Sequence, residues 1–157
     1  MKPGIYLSHK ELVFNEYPKH EIGFARYCKS FRINLENIAF IALSPRLIID
    51  DESIFILLIS KKGKRFVIPQ NALHEPPIKA LEDHFQLKPF RDEWNEIDYE
   101  NHYGSKDKIL YPTEFYGKNL YKIDWKLALR SLYSWIIPKS FFGNYTNNVN
   151  LKLKNLP

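Results

Sequence analysis

Asp98, Glu100 and His102 alternate along one short stretch, and in an extended chain alternate residues project to one face. Two carboxylates and an imidazole so placed form a ligand set for a divalent cation. The whole of Asp92–His102 is acidic, however, and solvated charge accounts for the pattern without a ligand. Asp50, Asp51 and Glu52 raise the same question between Leu47–Ile49 and Ser53–Ile59. They lack the glycine and the spaced downstream acid of a calcium loop. Three acids in a row read better as a polar turn between strands. No metal is expected at either place.

Cys28 is the single cysteine, which forbids an internal disulfide and a multi-cysteine metal site. As a nucleophile it would need a base, His9 or His20, and an orienting acid. No cysteine-hydrolase motif surrounds it, so it reads as a small core residue. The five histidines are scattered with no HExxH spacing, and Gly63 stands alone rather than in a phosphate-cradling glycine-rich loop. The expectation is a protein that is not an enzyme and holds no cofactor.

Three patterns suit binding instead. Lys118, Lys122 and Lys126 interleave with Tyr116, Tyr121 and Trp125, a composition that can stack bases and contact phosphates. No recognised nucleic-acid motif accompanies it, so nucleic acid is not the expected partner. Arg26, Lys29 and Arg32, together with Lys61, Lys62, Lys64 and Arg65, could meet an anionic, phosphate-bearing surface such as lipid headgroups. Trp135, Phe141 and Phe142, beside Ile136 and Ile137, form an apolar cluster flanked by Lys126, Arg130 and Lys139. Its plain role is core; its sharper role is a docking face with aromatic anchors for a protein partner or a membrane interface.

The elements that must carry these residues are strands first and helices later. Glu11–Asn15 is short and apolar, and Glu16–His20, with Pro18, reads as a turn. Phe31, Ile33 and Leu35 alternate with Arg32 and Asn34, the period of a half-buried strand. Ile38–Leu43 is apolar on both faces, with Pro45 expected to break it. Ile54–Ser60 and Arg65–Ile68 flank Lys61–Lys64, a hairpin turn in which Gly63 supplies positive φ. From Pro76 the period lengthens: Ile78, Leu81 and Phe85 recur at helical spacing, opposite Lys79, Glu82 and Asp83, until Pro89. Residues 90–123, polar, Tyr-rich and punctuated by Gly104, Pro112 and Gly117, read as mostly loop with short pieces of structure. Asp124 caps an expected helix over Trp125–Ile137, with only Lys126, Arg130 and Ser134 as its polar stripe. Asn144–Pro157 reads as a polar tail.

Strands closed by one amphipathic helix suggest a small capped sheet. Lys29–Ile38 resembles the second strand and turn of bacterial pleckstrin-homology-like domains, Ser53–Ile68 their later hairpin, and Glu75–Leu87 their C-terminal helix. The resemblance covers residues 9–88 and rests on element order and apolar pattern. It implies an α+β protein with an antiparallel PH-like sheet over residues 1–88. Residues 89–157 have no counterpart in that family and are expected to pack on the sheet as a Tyr-rich connection and a helix. Domains of this kind bind lipids, peptides or proteins, so the fold leaves function open.

Composition bounds the rest. At 157 residues, with 45% hydrophobic and 26% charged side chains, the chain can build a core and is not disordered by composition. No apolar run approaches the roughly 20 residues of a membrane helix. Met1–Lys10 lacks an apolar signal-peptide region, so a cytoplasmic location is expected. Charge is split along the chain. Residues 1–74 carry 11 basic and 7 acidic groups, residues 75–102 carry 3 and 8, and residues 103–157 carry 9 and 3. Two surfaces of opposite sign suit encounter with a charged partner. The expected function is non-enzymatic binding of another protein, of inhibitor or immunity type.

Overall fold

The computed structural model describes residues 2–18, 28–48, 51–96, 107–122 and 144–157. Strands β1 (Gly4–Ser8), β2 (Glu11–Asn15) and β3 (Phe31–Asn34) form one antiparallel meander. Strands β4 (Ile38–Ile48), β5 (Asp51–Ser60) and β6 (Arg65–Pro69) form a second. Strand β7 (Lys108–Tyr111) joins the open side of β4, so the larger sheet runs β6-β5-β4-β7. Strands β8 (Tyr121–Lys122) and β9 (Asn144–Tyr145) pair separately. Helices α1 (Pro76–Phe85), α2 (Phe90–Asn95) and α3 (Asn147–Lys154) complete an α+β fold, the class the sequence leads one to expect. No described helix is long and apolar enough to cross a membrane.

The burial pattern explains the layering. Every residue from Ile54 to Ile59 is buried, as is every residue from Ile38 to Leu43. Successive strand residues face opposite sides, so β4 and β5 must be covered on both. Arg65 and Phe66, adjacent on β6, identify the two covers. Phe66 meets the ring of Phe31 on β3, with centroids 5.0 Å apart. Arg65 faces the other way, onto Tyr121 of β8 and Tyr145 of β9. The register places Phe40 and Ile59 level with Arg65, and Phe40 meets Phe115 on that same side. The large sheet therefore lies between the β1–β3 meander and the segments that carry Phe115, Tyr121 and Tyr145.

Helix α1 closes the side that holds β1. Pro76 and Pro77 occupy its first turn, where a missing N–H costs nothing, and Ile78 and Leu81 are its buried stripe. Glu75 stands in the capping position but does not cap. Its carboxylate reaches β1 instead, accepting from the Ile5 N–H at 2.8 Å and from the Tyr17 hydroxyl at 2.6 Å. Gly4, at φ 122°, leaves room for this approach: a Cβ there would stand 2.9 Å from Glu75 Oε2.

The structure departs from the sequence reading in five places. β1 forms where no strand was expected, with Ile5 inward and Tyr6 outward. β4 runs through Pro45 to Ile48, because the pairing of β7 with β4 stops at Leu43 and a missing N–H there disrupts no ladder on that side. Asp51 and Glu52 are not turn residues; they pair with Ile48 and Leu47 as the first residues of β5. Pro89, expected only to end α1, also starts α2, which with β7 supplies the short pieces of structure expected within 90–123. The expected tail at 144–157 is β9 followed by α3, whose Thr146 side chain accepts from the Val149 N–H.

Candidate functional site

The β5–β6 hairpin is built as a rigid cationic tip. Ser60 ends β5, and its N–H donates to the Lys64 carbonyl at 2.8 Å. Gly63, at φ 74°, donates back to the Ser60 carbonyl at 2.8 Å, and the Lys64 N–H donates to Ser60 Oγ at 3.0 Å. The Lys61 N–H donates to the Asn37 carbonyl at 2.8 Å. From outside, the Tyr145 hydroxyl donates to the Gly63 carbonyl at 3.0 Å, and Leu153 of α3 packs beside Gly63. The Lys61, Lys62 and Lys64 side chains project from this clamp into solvent, Lys64 passing over the Phe66 ring.

These lysines differ from other cations nearby. Lys10, Arg32, Lys79, Lys88, Lys108 and Lys152 each have a carboxylate partner: Glu36, Glu11, Asp83, Glu96, Glu93 and Glu114 respectively. Among the described residues, Lys61, Lys62 and Lys64 form no such pair; Lys2, Lys29, Arg91, Lys118, Lys122 and Lys154 form none either, and it is the placing of three on one turn that sets the hairpin apart. Arg65 differs from them in being half-buried. Its guanidinium lies 4.9 Å from the Tyr121 ring centre and 6.0 Å from that of Tyr145, so the anion-binding role expected for it gives way to packing.

Arg65 belongs to a polar strip under the β8–β9 cover. Tyr121 and Tyr145 stack with centroids 5.3 Å apart, and burial pushes both phenols up, the Arg65 charge partly opposing it. Farther along the same sheet face, the Ser44 hydroxyl donates to Asp107 Oδ1 at 2.5 Å, with both residues buried. A second buried acid, Glu93 on α2, accepts from Lys108 Nζ at 2.5 Å and from the Tyr116 hydroxyl at 2.8 Å. Burial draws the Lys108 ammonium down, but its hydrogen bonds to Glu93 and Tyr116 and the Glu93 charge outweigh that, and its pKa is raised. A lysine held charged in this way is an ion-pair partner and a poor nucleophile. Cys28 is buried, and desolvation lifts its thiol to about 12, the behaviour of an inert core cysteine.

Many residues singled out from the sequence lie outside the described residues: Arg26, Asp98, Glu100, His102, Lys126, Arg130, Trp135, Phe141 and Phe142, with the whole Trp125–Ile137 helix. Lys29 and Arg32 are exposed, and Arg32 Nη1 is 3.6 Å from Glu11. The proposed base-stacking set is dispersed: Tyr121 is buried on Tyr145, and Tyr116 is hydrogen-bonded to Glu93. Among the described residues, no three His, Cys, Asp or Glu side chains gather as a metal site. Sequence reasoning missed Glu93, hidden in an acidic run, and Tyr145, placed in the supposed tail. The Thr146 cap with Val149 and Leu153 at helical spacing was the available signal for α3.

With the hairpin clamp, the aromatic strip and the two buried acids in place, the chain was compared with known proteins: no family model, curated protein or solved structure matches it.

Proposed function

We propose that this chain is a non-enzymatic protein-binding module, PH-like in its first half, that presents the Lys61–Lys64 tip to an acidic face of one protein partner, as an inhibitor or immunity protein would. The observation that carries the reading is the gathering of three exposed lysines, none of them ion-paired, on one clamped hairpin turn. Rigid, uncompensated charge raises encounter rates and selects an oppositely charged surface.

The hairpin backbone favours a protein over a phosphate group. Phosphate cradles draw on backbone N–H groups as well as cations. Here the N–H groups of Lys61, Gly63 and Lys64 are spent on Asn37 and Ser60, so the turn offers at most the Lys62 N–H beside its point charges and no multi-donor cradle. Interior partners for Glu93 and Asp107, and the desolvated Cys28 thiol, likewise support binding over catalysis.

The test compares wild type with Lys61→Glu/Lys62→Glu/Lys64→Glu, both immobilised and exposed to extract of the source cell. The expected result is an acidic protein retained by wild type at low salt, released at about 0.5 M salt where screening is strong, and absent from the variant. Circular dichroism of the variant should be unchanged. Sedimentation of wild type with anionic vesicles, or equal retention by both proteins, would overturn the reading.

A further inference from the structure

A second feature stands apart from the hairpin tip. Between the segment from β7 to Asn119 and the start of α3 lies a cleft of about 300 Å³, at the small end of the range for ligand sites. Its floor is apolar, from buried Ile109 and the Phe115 ring. Its walls are neutral and polar, from Asn119, Thr146 and Asn148, and among the described residues Lys118 is the one charged residue lining it.

The walls are fixed before any ligand arrives. Ile109 and Lys118 are joined by an N–H···O bond of 2.9 Å, Gly117 donates to the Ile109 carbonyl at 2.9 Å, and Thr146 donates to the Leu120 carbonyl at 3.0 Å. The Lys118 ammonium is held 5.2 Å from the Phe115 ring centre, above the apolar floor. Glu114, the acid nearest in sequence, is neutralised by Lys152 at 2.5 Å. Gly117, at φ 77°, has nothing within 4 Å of where a Cβ would sit, so that wall is open. One cation, neutral amides and an apolar base favour a ligand with one negative group on a small flat body. A lone ammonium does not match the charge of a phosphate dianion.

We propose that the Ile109–Phe115–Lys118–Asn148 cleft binds a small carboxylate with an apolar body, its carboxylate at Lys118 and its body over Phe115. Such a carboxylate could be a free organic acid or the terminus of a peptide with an aromatic last residue. The chemistry is shared, and the probes below separate the sources.

The experiment is an amide ¹H–¹⁵N titration of the full chain with benzoate, benzamide, N-acetylphenylalanine and N-acetylphenylalanine amide. Benzoate should give saturable shifts at Ile109, Gly117, Lys118 and Asn148 with a dissociation constant of millimolar order, about −4 kcal/mol. Benzamide and the amide-blocked amino acid should not. Lys118→Glu should weaken benzoate about tenfold or more, equivalent to about 1.4 kcal/mol, while Lys118→Arg retains it. Tighter binding of N-acetylphenylalanine than of benzoate assigns a peptide terminus; the reverse assigns a free acid. Equal shifts with benzamide, an unchanged affinity in Lys118→Glu, or no saturable shift at these amides would overturn the proposal. Lys118 is exposed, so its variants should keep a dispersed, folded spectrum.

Discussion

The Arg65 guanidinium sits 4.9 Å from the centre of the Tyr121 ring, and Tyr121 is in turn stacked on Tyr145, so three residues far apart in sequence make one cation–aromatic column. The column joins the edge strand β6 to the β8–β9 pair. Arg65→Ala should lower stability by about 1 kcal/mol, since a half-buried cation over an aromatic face falls between the exposed value of about 0.5 and the desolvated value of about 2. Urea unfolding checks it. An unchanged midpoint would mean that the tyrosine stack holds without its cation.

Glu93 and Lys108 should set an alkaline limit on stability. The Lys108 pKa is raised in the fold, so its charged form is the stabilising one. That contribution is complete below the ordinary lysine value of 10.5 and is lost as pH rises through the higher folded value. Glu93→Gln should cost about 3 kcal/mol, the low end for breaking a buried pair, because Glu96 Oε2 lies 3.8 Å from Lys108 as a second acceptor. Melting temperatures between pH 8 and about 11 for wild type and Lys108→Met would separate the two, the variant losing less.

Glu75 makes a different kind of link, from the start of α1 to β1 and Tyr17. Glu75→Ala leaves the Ile5 N–H and the Tyr17 hydroxyl without that acceptor, and should cost about 2–3 kcal/mol, the scale of hydrogen bonds to a charged group. Glu75→Gln should recover part of it. Equal losses for both variants would show that the charge, rather than the hydrogen-bonding oxygen, matters.

Cys28 should resist thiol reagents. Its thiol is buried and lifted to about 12, leaving almost no thiolate at pH 8. Maleimide labelling should be negligible for the native protein and complete in denaturant. Rapid native labelling would place the residue nearer solvent than its burial indicates.

Stopping the chain after Tyr145 should loosen the lysine tip. The deletion removes Val149, which is fully buried, and Leu153, which packs beside Gly63. Burial of one such side chain is worth about 1.5–3 kcal/mol, so a lower melting temperature is expected. Amide exchange at Lys61–Arg65 should quicken more than at Ile56–Leu58. Uniform protection in the truncated chain would show that α3 does not hold the hairpin.

Where period and burial coincide, the fold was legible from the residues. The Lys61–Lys64 turn with its positive-φ glycine was readable because tight hairpins demand such a residue. The α1 stripe of Ile78 and Leu81 was readable because a half-exposed helix must segregate its faces. β4 was read too short because Pro45 is a breaker only where its missing N–H faces another strand. β1 and α3 were overlooked for a common reason: each is short, and its place is fixed by distant partners. Glu75 secures one; Gly63 and Leu120 secure the other. The candidate site followed the same rule. Lysines at a turn are visible locally, whereas the pairing that sets Lys108 apart from Lys62 depends on contacts across the fold.

The carboxylate of Glu75 has one more consequence, for self-association. β1 is an outer strand, and an N–H that donates to Glu75 is turned away from β2. An outer strand with open donors is a template on which a second copy can add its own strand and propagate into fibres. Glu75 fills that donor at Ile5, the second residue of β1, with a charged group that an incoming backbone would have to evict. The chain thus carries its own stopper against edge-to-edge growth, supplied by the first residue before its helix.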